Sequence, residues 1–177
     1  SPSSEVMGER LEILHLLQRN EISLLVVPVD SIMQCVIPRK DLSDHTFYLG
    51  VGENLEREFL ETCLLDNGFV RLPMVENRGH FSVRGDIVDV YLPASINPVR
   101  VEFFDNTIES IREFDINTQV SLKNIKKIEV LPVRELSPTA VQKEDGLKKI
   151  SHYAEEHDVD QVGLNELIDK IKHLDNF

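Results

Sequence analysis

Apolar residues at the start of the chain recur at helical intervals and then bunch into short runs. Between Glu5 and Arg19, Met7, Leu11, Leu14 and Leu17 fall three or four apart, the spacing of one buried helix stripe. Residues 22–29 (ISLLVVPV) form a β-branched apolar run, which predicts a strand covered on both faces. Asp30 is placed to cap a short helix through Cys35, with Pro38 as its stop. Phe47 to Val51 reads as another strand. Asn54 to Asp66 reads as a helix with Leu55, Phe59 and Cys63 on one face, closed by Asn67 and Gly68 at its C-terminus.

The period changes at Phe69. Phe81 and Val83, then Ile87, Val88, Val90 and Leu92, then Val99, Val101 and Phe103, and finally Ile108, Ile111 and Phe114 keep strand-like spacing. Asp105 to Thr107 joins the last two runs as a hairpin turn, because Asp and Asn tolerate left-handed backbone angles. Residues 69–133 therefore predict a mostly antiparallel sheet. After Pro132 and Pro138, residues 139–157 and 159–174 read as two acidic helices whose charges form a solvated face. The fold class expected from the whole pattern is α/β (α+β), an antiparallel sheet module with flanking helices.

Charge narrows the functions open to such a chain. Its 177 residues carry 19 Lys and Arg against 31 Asp and Glu, a formal charge of -12, so the averaged field repels nucleic acid and anionic membrane. Binding of nucleic acid or membrane is therefore not expected. Cys35 and Cys63 stand alone, without zinc-site spacing or the density of a disulfide scaffold, which points to a reducing cytoplasm. No apolar run approaches the ~20 residues of a membrane span. Ser1 at the start, with Met7 inside a helix, reads as a piece of something longer.

Catalytic chemistry finds little support. The phosphate-cradling G-x-x-x-x-G-K-[ST] loop is missing, as are G-x-G-x-x-G, H-E-x-x-H and G-x-S-x-G, so no cofactor, metal or catalytic residue is expected. Asp86 and Asp89 lie three apart on a strand and so point to opposite faces, which argues against an acid/base dyad. The six histidines are scattered.

One stretch runs against the overall charge. Phe69 to Gly85 holds Arg71, Arg78 and Arg84 but only one acid, Glu76. Two readings stand: ordinary solvated arginines, or a carboxylate-seeking surface beside Phe81. With a turn near Asn77 to Gly79, Arg71 and Arg84 would approach each other across a hairpin. Paired guanidiniums of that kind anchor protein interfaces.

These residues also carry a family resemblance. The runs GHFSVRGDIVDVY (79–91), PVRVEFFD (98–105) and IESIREFD (108–115) resemble the module shared by UvrB and the bacterial transcription-repair coupling factors. FDINTQVS (114–121) and LPVRE (131–135) are closer to the coupling factors than to UvrB. So are Glu9-Arg10-Leu11 and the stretch from Val27-Pro28-Val29 to Met33-Gln34 and Pro38.

The resemblance implies three parts. Residues 1–66 would belong to a degenerate α/β helicase-like first domain, 67–136 to a sheet that binds UvrA, and 137–177 to a helical segment returning to the first domain. The implied role is non-catalytic: bringing nucleotide excision repair to RNA polymerase stalled at DNA lesions in the bacterial cytoplasm. Arg71 and Arg84 correspond to arginines of the family's UvrA contact, and Ser82 stands where UvrB has a further arginine. Arg78, Phe81 and Tyr91 join them as candidates through nearness in sequence. The same surface could also meet other domains of a full-length protein. The alternative is a fragment of a UvrB-like ATP-dependent DNA helicase.

Overall fold

The computed structural model describes residues 4–33, 36–135, 140–157 and 159–172. It divides into two compact units, residues 1–135 and residues 136–177.

The first unit opens with helix α1 (Ser4–Gln18), which buries Leu11 and packs Met7 and Leu14 against Ile37 and Leu42. This is the stripe that the spacing predicts. Gly8 lets the helix approach the chain closely, since a Cβ there would stand 2.4 Å from the Cβ of Pro93. His15, buried on the same helix, meets Glu129 at 2.9 Å.

The run at 22–29 does not form the expected strand. Residues 22–28 are irregular, and Leu24 and Val26 are exposed. A strand persists only when a neighbour completes its ladder of N–H and C=O groups, and among the described residues none pairs with this run. The short helix α2 (Val29–Ile32) starts after Pro28, not at an Asp30 cap, and Cys35 lies outside the described residues. Pro38 does not act as a stop but precedes helix α3 (Arg39–Asp44), because its fixed φ and missing N–H suit the start of a helix.

The remaining elements of this unit are β1 (Phe47–Gly50), α4 (Arg57–Asp66), β2 (Val70–Arg71), β3 (His80–Arg84), β4 (Ile87–Val90), β5 (Val99–Phe104), β6 (Thr107–Phe114), β7 (Ser121–Ile125) and β8 (Lys127–Val130). Strands β2 to β7 make one six-stranded sheet in chain order, while β1 pairs antiparallel with β8 as a separate ribbon. Every pairing in the six-stranded sheet is antiparallel except β2 with β3. Asp105 takes φ 54 in the β5–β6 turn, the left-handed backbone expected of that turn.

One core joins these parts. Leu49 of β1 and Leu60 and Leu64 of α4 pack with Phe81, Val88, Val101, Ile108 and Ile111 of the sheet. The compact units divide at 135/136, and the boundary expected at 66/67 falls inside this core. The buried face of α4 is Leu60 and Leu64, not Phe59 and Cys63; Phe59 is exposed. Asn67 and Gly68, the latter at φ 83, close α4 as expected.

The second unit contains α5 (Ala140–Glu156) and α6 (Gln161–Lys172). Ala154 is buried, and Tyr153 stacks on His157 with ring centroids 4.0 Å apart. Lys148–Glu144 and Lys149–Asp145 pair along the exposed side of α5, each at 2.7 Å.

Candidate functional site

Alternation along the strands puts the apolar residues of the sheet on the core side and leaves the other face polar. Register aligns Ser82, Asp89, Arg100, Arg112 and Asn124 as one row across β3 to β7. Asp89, with its side chain 3% exposed, is the centre of this row. Arg100 grips it as a fork, donating from Nε to Oδ1 at 2.7 Å and from Nη2 to Oδ2 at 2.9 Å. The same Nη2 reaches Gln119 Oε1 at 3.0 Å, and the guanidinium lies 4.6 Å from the centre of the Phe114 ring. The bond to Asp89 raises the Arg100 pKa above its ordinary value, with burial opposing. A buried carboxylate held in this way is a structural ion pair, not an acid/base group.

Arg84 shares that face and donates from Nη2 to Asp89 Oδ2 at 3.0 Å, with its side chain still 52% exposed. It ends β3, just before the tight turn to β4. Gly85 takes φ +59 in that turn, which a glycine adopts without strain.

Arg71 does not meet Arg84 across a hairpin. β2 runs parallel to β3, so Arg71 lies opposite Phe81, and residues 72–79 carry the chain back to the start of β3. The Val70 N–H bonds Gly79 O and the Leu72 N–H bonds Phe81 O, fixing this direction. Three residues along β3 and one strand across separate the two arginines by roughly 11 Å at Cα, from a rise of about 3.3 Å per residue and a strand spacing of about 4.8 Å. Residues opposite one another share a face, so Arg71 emerges on the α4 side of the edge strand. There it is 53% exposed and donates to Glu61 of α4 at 2.6 Å.

The other three candidates lie elsewhere. Phe81 is fully buried in the core and is not available to a partner, because on β3 it alternates inward between His80 and Ser82. Arg78 and Tyr91 gather at the opposite end of β3 and β4. Arg78 bonds Glu5 of α1, donates to Ser95 O at 2.9 Å, and sits 5.9 Å from the Tyr91 ring centre. Its bond to Glu5 raises its pKa. The Tyr91 hydroxyl donates to Ile96 O at 2.7 Å. These two residues fasten α1 and the 91–98 loop, at a distance from the Arg84 turn.

Sequence reasoning missed three participants. Asp89 and Arg100 are directly opposite on β4 and β5, and their opposite charges at strand spacing could have signalled a cross-strand pair. Arg57 begins α4 four residues before Glu61, the spacing of a helical ion pair. Among the described residues, no three His, Cys, Asp or Glu are placed to hold a metal ion, and no helix is long and apolar enough to cross a membrane.

The family model described as the UvrB interaction domain matches residues 47–136, which run from the start of β1 to just beyond β8. A transcription-repair-coupling factor of Myxococcus xanthus is 33% identical over 173 residues, covering 97% of this chain and 14% of the relative. Proteins of the same name from Bacillus subtilis (strain 168) and Escherichia coli (strain K12) are each 33% identical, over 84% and 76% of this chain. The chain spans 12% to 14% of the length of these relatives.

Proposed function

The chain belongs to the UvrB interaction domain family, and from that premise we propose that it is a non-catalytic adaptor module of a transcription-repair coupling factor, docking UvrA through its β2 edge and polar sheet face. The observation that carries this reading is the pair of half-exposed arginines, Arg71 and Arg84, on either side of the β2–β3 edge. Each is oriented by one carboxylate, Glu61 for Arg71 and Asp89 for Arg84, and still presents half of its side chain. A partner closing over this edge would desolvate both, and charge-assisted bonds from a planar guanidinium are strong and directional. In the proposed role, the contact brings excision repair to RNA polymerase stalled at a lesion. Neither ATP turnover nor duplex DNA binding by this chain is part of it. The name of the relatives favours this reading over a fragment of a UvrB-like helicase. Contact of the same surface with other domains of a longer chain is compatible with it, since one surface can be covered in cis and used in trans.

Calorimetry against purified UvrA tests the proposal. Arg71→Ala and Arg84→Ala should each weaken binding by roughly thirtyfold or more, from a loss of at least about 2 kcal/mol when an interfacial charge pair is broken. Lys123→Ala, on β7 at the far edge of the sheet, should bind as wild type. Wild-type affinity in both arginine variants with unchanged melting would show that this edge is not the contact.

A further inference from the structure

Arg57 lies between the two arginines without belonging to either strand. It starts α4, and its guanidinium reaches in three directions. Nη1 donates to the carbonyl oxygen of Gly85, in the turn that follows Arg84. Nη2 bonds Glu58 on its own helix. Nε, buried from solvent, faces Glu61 Oε1 at 3.5 Å. Asp86, beside Gly85, is 3.9 Å from Nη1. The Glu61 side chain is 14% exposed and uses its second oxygen for Arg71. A continuous path therefore runs from Arg71 through Glu61 and Arg57 to the Gly85 carbonyl and Arg84.

We infer that Arg57 is a positioning residue for the interaction edge: it sets the interval between Arg71 and Arg84 by tying the helix that holds one to the turn that carries the other. This rests on the UvrA-docking reading of those two arginines. The physical need is specific. Arg71 hangs from a two-residue edge strand, and Arg84 stands at a two-residue turn. Backbone pairing alone leaves both at the ends of short elements, where side chains wander most and ordering them costs affinity. The fork geometry of a guanidinium lets one residue bond a backbone carbonyl and face a carboxylate together; the ammonium of lysine is a point charge and cannot span the same two acceptors. Arg57 is 29% exposed, so its loss leaves no large cavity.

The test compares binding of purified UvrA to wild type, Arg57→Ala, Arg57→Lys, Arg84→Ala and the Arg57→Ala/Arg84→Ala double variant, with thermal melts of each. A positioning role predicts about a tenfold loss in both Arg57 variants and a loss of less than about threefold when Arg57→Ala is added to Arg84→Ala, the non-additivity of coupled residues. Hydrogen exchange should quicken at residues 84–87 in both Arg57 variants, which a remote packing defect would not produce selectively. Wild-type affinity in Arg57→Ala overturns the inference. So does wild-type affinity in Arg57→Lys, which would make Arg57 a plain charge, and so does full additivity in the double variant. Should Arg57→Ala fail to fold, Arg57→Lys, which keeps stem and charge, carries the same comparison. If Arg84→Ala, like Arg71→Ala, binds as wild type, the docking reading itself fails, and that outcome is distinct from failure of Arg57 alone.

Discussion

Replacing Asp89 with alanine would remove the one carboxylate that both Arg84 and Arg100 address. The two arginines lose it on different terms. Arg84 is half exposed and can turn to water, where a surface ion pair is worth about 0–1 kcal/mol. Arg100 is 15% exposed and keeps Gln119, the Phe114 ring and the more distant charge of Glu102, with no direct carboxylate bond, so its charge is left in a poorly hydrated place. Removing one partner of a buried pair costs about 3–5 kcal/mol, and the contacts that Arg100 retains place Asp89→Ala near the lower end, at about 3 kcal/mol. One kcal/mol moves the melting temperature of a unit of this size by about 3–5 °C, so a fall of about 10 °C is expected. Urea and thermal melts of Asp89→Ala, Arg100→Ala, Arg84→Ala and the Asp89→Ala/Arg100→Ala pair would measure it. The pair should be little worse than Asp89→Ala alone, with a coupling of at least about 1.5 kcal/mol, while Arg84→Ala should cost under about 1 kcal/mol. A melting temperature for Asp89→Ala within about 2 °C of wild type would refute the view of Asp89 as the buried organiser of this face.

Two further outcomes follow from burial. Phe81→Ala should lose about 3–5 kcal/mol of stability, as expected for a large core aromatic, whereas Phe81→Leu should fold and bind UvrA normally. A stable Phe81→Ala that lost only UvrA binding would return this side chain to the interface. Burial, with Asp66 adding to it, raises the Cys63 thiol pKa, so less of it is thiolate at any given pH than in the unfolded chain. In a Cys35→Ser background, alkylation of Cys63 should therefore have its midpoint above that of the urea-unfolded protein, and Asp66→Asn should move it down. A folded midpoint at or below the unfolded one would contradict this account.

Much of the scaffold was legible in the linear pattern because its signals are local. The helical spacing of Met7, Leu11 and Leu14, the Asn67-Gly68 end of α4 and the Asp105 turn depend on backbone preferences of a few neighbouring residues. The ordered motifs between Gly79 and Asp115 carried the family for the same reason. Other features depend on what lies across space. The direction of β2 was not legible, because a two-residue strand pairs equally well either way until the path of residues 72–79 decides it. The apolar run at 22–29 has strand composition but finds no neighbour among the described residues, and composition cannot supply a hydrogen-bonding partner. Alternation along β3 divides Phe81 from Ser82 and Arg84 without saying which side meets the core, and packing of α4 placed Phe81 inside. The sequence by itself thus determined the strand runs between Phe81 and Phe114, the Asp105 turn and the stretch that holds the arginines. Only the tertiary structure decided their partners, because Glu61, Arg57 and Asp89 reach Arg71, the Gly85 carbonyl and Arg84 through side-chain geometry that no spacing along the chain encodes.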